Sequence, residues 1–135
     1  MSDDAVFSVG SAAGDHVIVR PRRYTYPGAT EYWDANWVDA SLEVAAGAFR
    51  GRLDAQLCAH DFPRWRDDLR MLHAKLEGVA TLETTEPWIE LSVEGDGRGH
   101  FVAKAVVRDG SSFENRLSFE TRFDQTDIPE MLRAT

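Results

Sequence analysis

Four histidines and one cysteine are the side chains of this sequence best suited to acid–base, metal or nucleophilic chemistry. No two histidines stand at a metal-ligand spacing, so we predict no metal site. His100 follows Asp96 by four residues, and a contact between them would suit a general base or, more commonly, a structural hydrogen bond. Cys58 is better explained as a small buried hydrophobe than as a catalytic thiol. We therefore predict no catalytic residue and no cofactor.

The glycine-rich segment 95–100 resembles a phosphate-binding loop only in composition. Such a loop needs the free backbone amides of a helix that begins directly after it. Here the segment joins two strand patterns, and no helical pattern follows. It therefore predicts a hairpin turn whose glycines adopt positive φ.

Residues 31–37 concentrate aromatic and polar side chains where a loop meets a strand. In one interpretation Trp33 and Trp37 close one end of the core while Asp34 and Asn36 complete the turn. In the other the aromatic side chains form a contact surface, because Tyr and Trp are common interface anchors. On the second interpretation Tyr32 and Trp33 are candidate partner-binding residues.

Acidic residues are frequent between positions 83 and 96. Glu90 and Glu94 share the outward face of one predicted strand, and Asp96 follows at the turn. These carboxylates form either a solvated surface or an electrostatic patch that attracts a basic partner and speeds association. We take Glu90, Glu94 and Asp96 as candidate partner-binding residues.

The elements that position these residues are mainly strands with a period of two. Residues 38–44 alternate between apolar and polar, and the next run places Phe49 on its apolar side. Gly47 separates the two runs, which predicts a tight hairpin. The predicted strands are 5–9, 16–24, 37–46, 49–57, 79–83, 88–94, 101–107 and 117–123.

One segment has the period of a helix. Its apolar residues recur at spacings of three and four, which predicts an amphipathic helix over 61–77; they are Phe62, Trp65, Leu69, Leu72 and Leu76. Asp61 is the predicted N-cap and Gly78 the predicted stop, and a capping box at 127–130 predicts a short terminal helix. The fold class is α+β: a curved, mainly antiparallel sheet of about six to eight strands, with the long helix on one face.

Length and composition limit the function classes. The chain has 135 residues, of which 43% are hydrophobic, which predicts one domain over 1–135 with residues 1–14 as a loose tail or a short edge strand. Lys and Arg total 15 against 23 Asp and Glu, a net charge of -8, which argues against direct nucleic-acid binding. One cysteine, an acidic N-terminus and no apolar run of about 20 residues predict a cytoplasmic protein without a membrane segment.

Several short motifs in this order resemble the WapI-like family of bacterial immunity proteins. They are YWDANW at 32–37, GAFRG at 47–51, DF at 61–62, EPW at 86–88, GRGH at 97–100, NRLSF at 115–119 and DQT at 124–126. Together they cover about residues 15 to 133. The resemblance implies a small cytoplasmic protein that protects its cell by binding and blocking a contact-dependent toxin, typically a nuclease domain.

Three functions therefore follow from the sequence. The first is a non-enzymatic immunity protein whose partner is a basic toxin or nuclease domain. The second is a self-associating structural module that forms a homodimer. The third is a small-ligand-binding protein or enzyme that uses Asp96 and His100.

Overall fold

The protein is known from a computed structural model, which describes residues 7–11 and 13–134 apart from the side chains of Tyr32, Trp33 and Ala134. Eight strands account for most of this part of the chain. They are β1 (Phe7–Gly10), β2 (His16–Tyr24), β3 (Trp37–Ala46), β4 (Phe49–Cys58), β5 (Glu77–Glu83), β6 (Ile89–Asp96), β7 (His100–Asp109) and β8 (Asn115–Asp124).

The strands form two antiparallel sheets, in the orders β1-β2-β3-β4 and β5-β6-β7-β8. The predicted α+β class is confirmed, but the prediction of one curved sheet is wrong. A period of two shows which face of a strand is buried, whereas it carries no information on which strand lies beside it. Between the sheets the chain passes through a helix, so β4 and β5 are not paired.

The strand bounds agree closely with the sequence pattern. Residues 16–24 and 37–46 are strands as predicted, and the others differ by a few residues at their ends. The first strand was predicted at 5–9, of which residues 5 and 6 lie outside the described residues. The hairpin between β3 and β4 turns at Gly47, whose φ of 60° suits a residue without a side chain.

The long helix is α2 (Pro63–Lys75), with buried Trp65, Leu69 and Leu72 on its predicted apolar stripe. Both predicted ends are wrong. Phe62 occupies the N-cap position, and the helix ends at Leu76, which adopts a left-handed φ of 64°. The Leu76 side chain packs on the core, and this burial offsets the strain that glycine would avoid.

Two further helices are short. The loop between β2 and β3 contains α1 (Tyr32–Ala35), a segment predicted to be a loop. The terminal helix α3 (Ile128–Ala134) buries Ile128 and Met131. The capping box lies three residues before the predicted one, because the side chains of Asp124 and Asp127 cap a 3₁₀ turn that leads into α3.

The inner faces of both sheets contribute to one hydrophobic cluster. The helix α2 packs along β5 and α3 packs against β1, whereas β4 and β8 are edge strands with a hydrogen-bonded neighbour on one side only. Cys58 is buried as predicted. Phe49 was predicted to be buried and is 68% exposed, because it begins an edge strand beyond the end of the core.

Candidate functional site

The outer surface of the second sheet is the candidate site, and we call it the acidic face. The register aligns residues from all four strands in rows, such as Thr81–Ser92–Lys104–Glu120. Seven carboxylates and four cations point outward from these strands. They are Glu77, Glu83, Glu90, Glu94, Asp96, Glu120 and Asp124, with Lys104, Arg108, Arg116 and Arg122.

An open groove of about 1060 Å³ lies on the acidic face. Its acidic lining includes Glu83, Glu90 and Glu120, and the residues before and at the start of α2 border it. Asp61 holds that border in place, because its carboxylate accepts hydrogen bonds from the backbone N–H and the hydroxyl of Thr85, both at 2.8 Å. The groove is therefore a shaped concavity in an acidic surface.

The two predicted strand glutamates share the acidic face, and their surroundings differ. Glu90 forms an ion pair with Arg108 at 2.8 Å, and both side chains are partly covered. Glu94 is exposed and lies between Val79 and Val102 in its row. Glu94 has no ion-pair partner in the part of the chain that the structure describes.

Asp96 lies at the end of β6, in the turn that leads to β7. Its carboxylate accepts hydrogen bonds from the backbone N–H groups of Arg98 (2.7 Å) and His100 (3.2 Å). The Arg98 hydrogen bond is the largest reason that the pKa of Asp96 is below its ordinary value. Burial is the next largest cause and raises this pKa, whereas the hydrogen bonds and charge of His100 lower it further. This carboxylate therefore stays ionised and closes the turn.

Asp96 and His100 are in contact, as the third function requires. The ring Nδ1 lies 3.3 Å from the carboxylate, and the two side chains border an open cavity of about 750 Å³. However, the His100 side chain is 73% exposed and that of Asp96 is 45% exposed. The contact has the geometry of a turn with the glycines Gly97 and Gly99 at positive φ, as predicted for this segment.

The aromatic loop connects to the border of the groove through the backbone. The N–H of Ala59 donates to the carbonyl of Asn36 at 2.8 Å, and the next residues, His60 and Asp61, line the groove. The side chains of Tyr32 and Trp33 lie outside the described residues. Their role as partner-binding residues remains a prediction.

Two features of the site were missed from the sequence. Lys104 and Glu120 lie side by side at the centre of the acidic face. The period-two pattern of their strands could have placed both on the outer side, although not next to each other. The hydrogen bond that Asp61 accepts from Thr85 joins residues 24 positions apart in the sequence. No local signal distinguishes this role of Asp61 from that of a helix N-cap.

The described residues contain no group of three or more His, Cys, Asp or Glu side chains that could hold a metal ion. Among the same residues no helix has the length and apolar character needed to cross a bilayer.

A family model described as the immunity protein WapI-like family matches residues 8–135, nearly the whole chain. The chain belongs to this family. The resemblance inferred from the motifs is thus confirmed, and membership of the WapI-like family indicates a role in toxin immunity. Immunity proteins are generally not enzymes, and their role implies a toxin as the binding partner. No curated protein and no solved structure matches this WapI-like chain.

Proposed function

We propose that this protein is a cytoplasmic immunity protein that binds a basic toxin domain, such as a nuclease, through its acidic face and blocks it without catalysis. The observation that carries this proposal is the set of exposed carboxylates on the second sheet that have no ion-pair partner among the described residues. The members of this set are Glu77, Glu83, Glu94, Asp109 and Asp124.

Charge on one face favours association with a toxin of opposite charge. A nuclease presents cations to its nucleic-acid substrate, and an acidic surface competes for the same cations. Long-range attraction raises the rate at which such partners meet, and the effect is largest at low salt. Carboxylates already neutralised by a neighbouring arginine contribute less to this field than the free ones do.

The charge of the acidic face favours fast association, and its shape favours slow dissociation of the complex. The groove offers a concave surface into which a basic loop or helix can project. The loop that carries Tyr32 and Trp33 is joined to its border through Asn36 and Ala59. Aromatic side chains at that position would slow dissociation, because buried Tyr and Trp residues often dominate binding energy.

The test uses the toxin domain encoded beside the gene for this protein. Co-expression should abolish its toxicity, and the purified proteins should associate rapidly at low salt. The variants Glu83→Gln and Glu94→Gln should each lower the association rate roughly several-fold and weaken its salt dependence. The matched control is Asp54→Asn on the first sheet, which removes the same charge from an exposed side chain.

Two results would contradict the proposal. In the first, the toxin domain remains lethal in the presence of this protein, and the two do not associate. In the second, Asp54→Asn slows association as much as Glu94→Gln does, which would move the contact away from the acidic face while leaving the immunity role intact.

The edge strands favour self-association as a second candidate function. Both β4 and β8 have one unpaired side, and Phe49 at the start of β4 is largely exposed. Unprotected edges readily pair with another strand. Light scattering would detect a tight dimer, and Phe49→Ser would return it to the monomer if this edge forms the contact.

A further inference from the structure

A cluster of arginines lies where the edge strands β4 and β8 face each other across the opening between the two sheets. Arg50 and Arg52 of β4 and Arg108 and Arg116 of β7 and β8 line the same cavity of about 250 Å³. We call these four residues the arginine seam. Its floor is formed by small or apolar residues, among them Gly51.

The arginine seam is unexpected in a chain of net charge -8. Four of the 15 Lys and Arg residues border this one cavity, and Asp109 is the acidic residue that shares it. Arg108 is neutralised by Glu90 at 2.8 Å. Among the described residues, Arg50, Arg52 and Arg116 have no carboxylate within 4.0 Å.

The bonds that these three arginines do form hold them in place and leave donors free. One terminal nitrogen of Arg50 donates to the carbonyls of Gly47 (2.7 Å) and Phe49 (3.1 Å). The Nε of Arg52 donates to Ser41 at 3.4 Å, and the Nε of Arg116 donates to Ser118 at 3.2 Å. The terminal N–H groups of Arg52 and Arg116 thus remain available, on side chains that are already oriented.

We propose that the arginine seam is a binding site for a phosphate group. Guanidinium groups donate pairs of hydrogen bonds to oxyanions, and several of them around one centre suit a tetrahedral dianion better than a planar carboxylate. The cavity is smaller than the roughly 300–1,000 Å³ of sites for drug-sized ligands, which favours a small anion or one group of a larger molecule. The arginine seam borders the acidic face, because Arg108 and Arg116 also point outward there. Binding of an anion in the seam does not require a toxin.

The first sheet supplies part of the field that such a site needs. Its strands carry five arginines and three carboxylates, and all three carboxylates already have cationic partners. An anion that approaches β4 therefore meets a locally positive surface, although the whole chain repels it. The hydrogen bonds that Arg50 and Arg116 already form reduce the conformational entropy that these side chains lose on binding.

Isothermal titration calorimetry of the full chain at constant ionic strength tests the proposal. The probes are inorganic phosphate, pyrophosphate and AMP, with citrate as the carboxylate comparison. Arg52→Gln and Arg116→Gln should each weaken phosphate and pyrophosphate binding about tenfold or more, as expected for a lost charge-assisted hydrogen bond. Arg64→Gln on α2 is the matched control, since its side chain is 91% exposed and lies outside the arginine seam.

The arms of the experiment separate the sources of the phosphate group. Tighter binding of pyrophosphate than of AMP supports a free oxyanion, and the reverse supports a phosphate carried by a nucleotide. Absence of binding by all three phosphate probes overturns the proposal. So does binding that Arg52→Gln and Arg116→Gln leave unchanged, or citrate binding as tight as that of pyrophosphate. Circular dichroism of each variant confirms that a lost signal reflects the site and not the fold.

Discussion

The two sheets each have four antiparallel strands, but the charged residues on their strands give them opposite net charge. The strands of the first sheet carry five arginines and three carboxylates, whereas those of the second carry eight carboxylates and four cations. In the first sheet Asp39 pairs with Arg23 at 3.0 Å, Asp54 with Arg22 at 3.8 Å, and Glu43 with both His16 and Arg20. In the second sheet Glu77, Glu83 and Glu94 remain without such partners among the described residues.

This difference separates charge that supports the fold from charge that is available to a partner. A half-buried ion pair contributes to stability because its removal leaves a polar group unsatisfied. An exposed unpaired carboxylate contributes little to stability, and its field extends into solvent. In the first sheet the covered contact of Glu43 with His16 thus supports the fold, whereas in the second sheet the exposed Glu77, Glu83 and Glu94 present their charge to solvent.

The largest effect should come from the residue that joins the two sheets. Trp65 is fully buried on α2, which packs along the second sheet, and its ring lies 5.6 Å from that of Phe7 in the first sheet. Trp65→Ala should lower the free energy of unfolding by about 3–5 kcal/mol, because the cavity borders both sheets. Chemical denaturation followed by circular dichroism measures this loss as one cooperative transition.

Two controls accompany Trp65→Ala. Met71→Ala on the exposed side of α2 should change stability by less than about 0.5 kcal/mol. Trp65→Phe should cost less than Trp65→Ala, since the indole Nε1 has no hydrogen-bond partner to lose among the described residues. Two separate unfolding transitions in the native protein would contradict a shared core.

A smaller effect on the free energy of unfolding should distinguish a paired carboxylate from an unpaired one. The Glu43 carboxylate lies 2.9 Å from the ring Nε2 of His16, which is buried, and 3.4 Å from Arg20. Glu43→Gln should destabilise the protein by about 1–2 kcal/mol, since it removes a charged acceptor from a buried donor. Glu94→Gln, the same change on the acidic face, should stay within about 0.5 kcal/mol of the native protein. Equal losses in thermal or chemical unfolding would refute this contrast.

Most of the secondary structure was predictable because each strand and the long helix carry their own residue pattern. The alternation in residues 37–46 and the helical spacing from Trp65 to Leu72 are local, so both elements were found near their observed bounds. The same alternation along a strand correctly placed Glu90 and Glu94 on one outward face. The division into two sheets and the position of Phe49 depend on which strands are neighbours, and that is decided by packing across the whole chain.

The ends of α2 and the residues that make up the site were harder to predict, because they too depend on contacts between distant parts of the chain. Asp61 has the residue type of an N-cap and instead accepts hydrogen bonds from Thr85, and Leu76 ends the helix in a conformation that glycine adopts more easily. In both cases a tertiary contact outweighs the local preference. The arginine seam combines β4 with β7 and β8, which are about 60 residues apart in the chain, so no short motif could indicate it.

The smallest effect concerns the origin of two lowered pKa values. Burial raises the pKa of Glu43, but the hydrogen bond from His16 and the charges of Arg20, His16 and Arg52 bring it below its ordinary value. The folded state therefore binds fewer protons than the unfolded state near pH 4, and stability rises with pH there. This contribution is complete above the pKa of an unfolded glutamate, about 4.3, and is lost as the pH falls through the lower folded value.

Asp96 on the second sheet has a lowered pKa for a different reason, since the backbone N–H of Arg98 is its main cause and His100 a smaller one. Carboxyl titration by NMR should therefore show that His16→Ala raises the pKa of Glu43 toward its ordinary value. In contrast, His100→Ala should leave the pKa of Asp96 largely lowered, because the Arg98 backbone remains. If His100→Ala returned Asp96 to an ordinary pKa, the turn would depend on a side-chain charge, and the two sheets would hold their carboxylates in the same way.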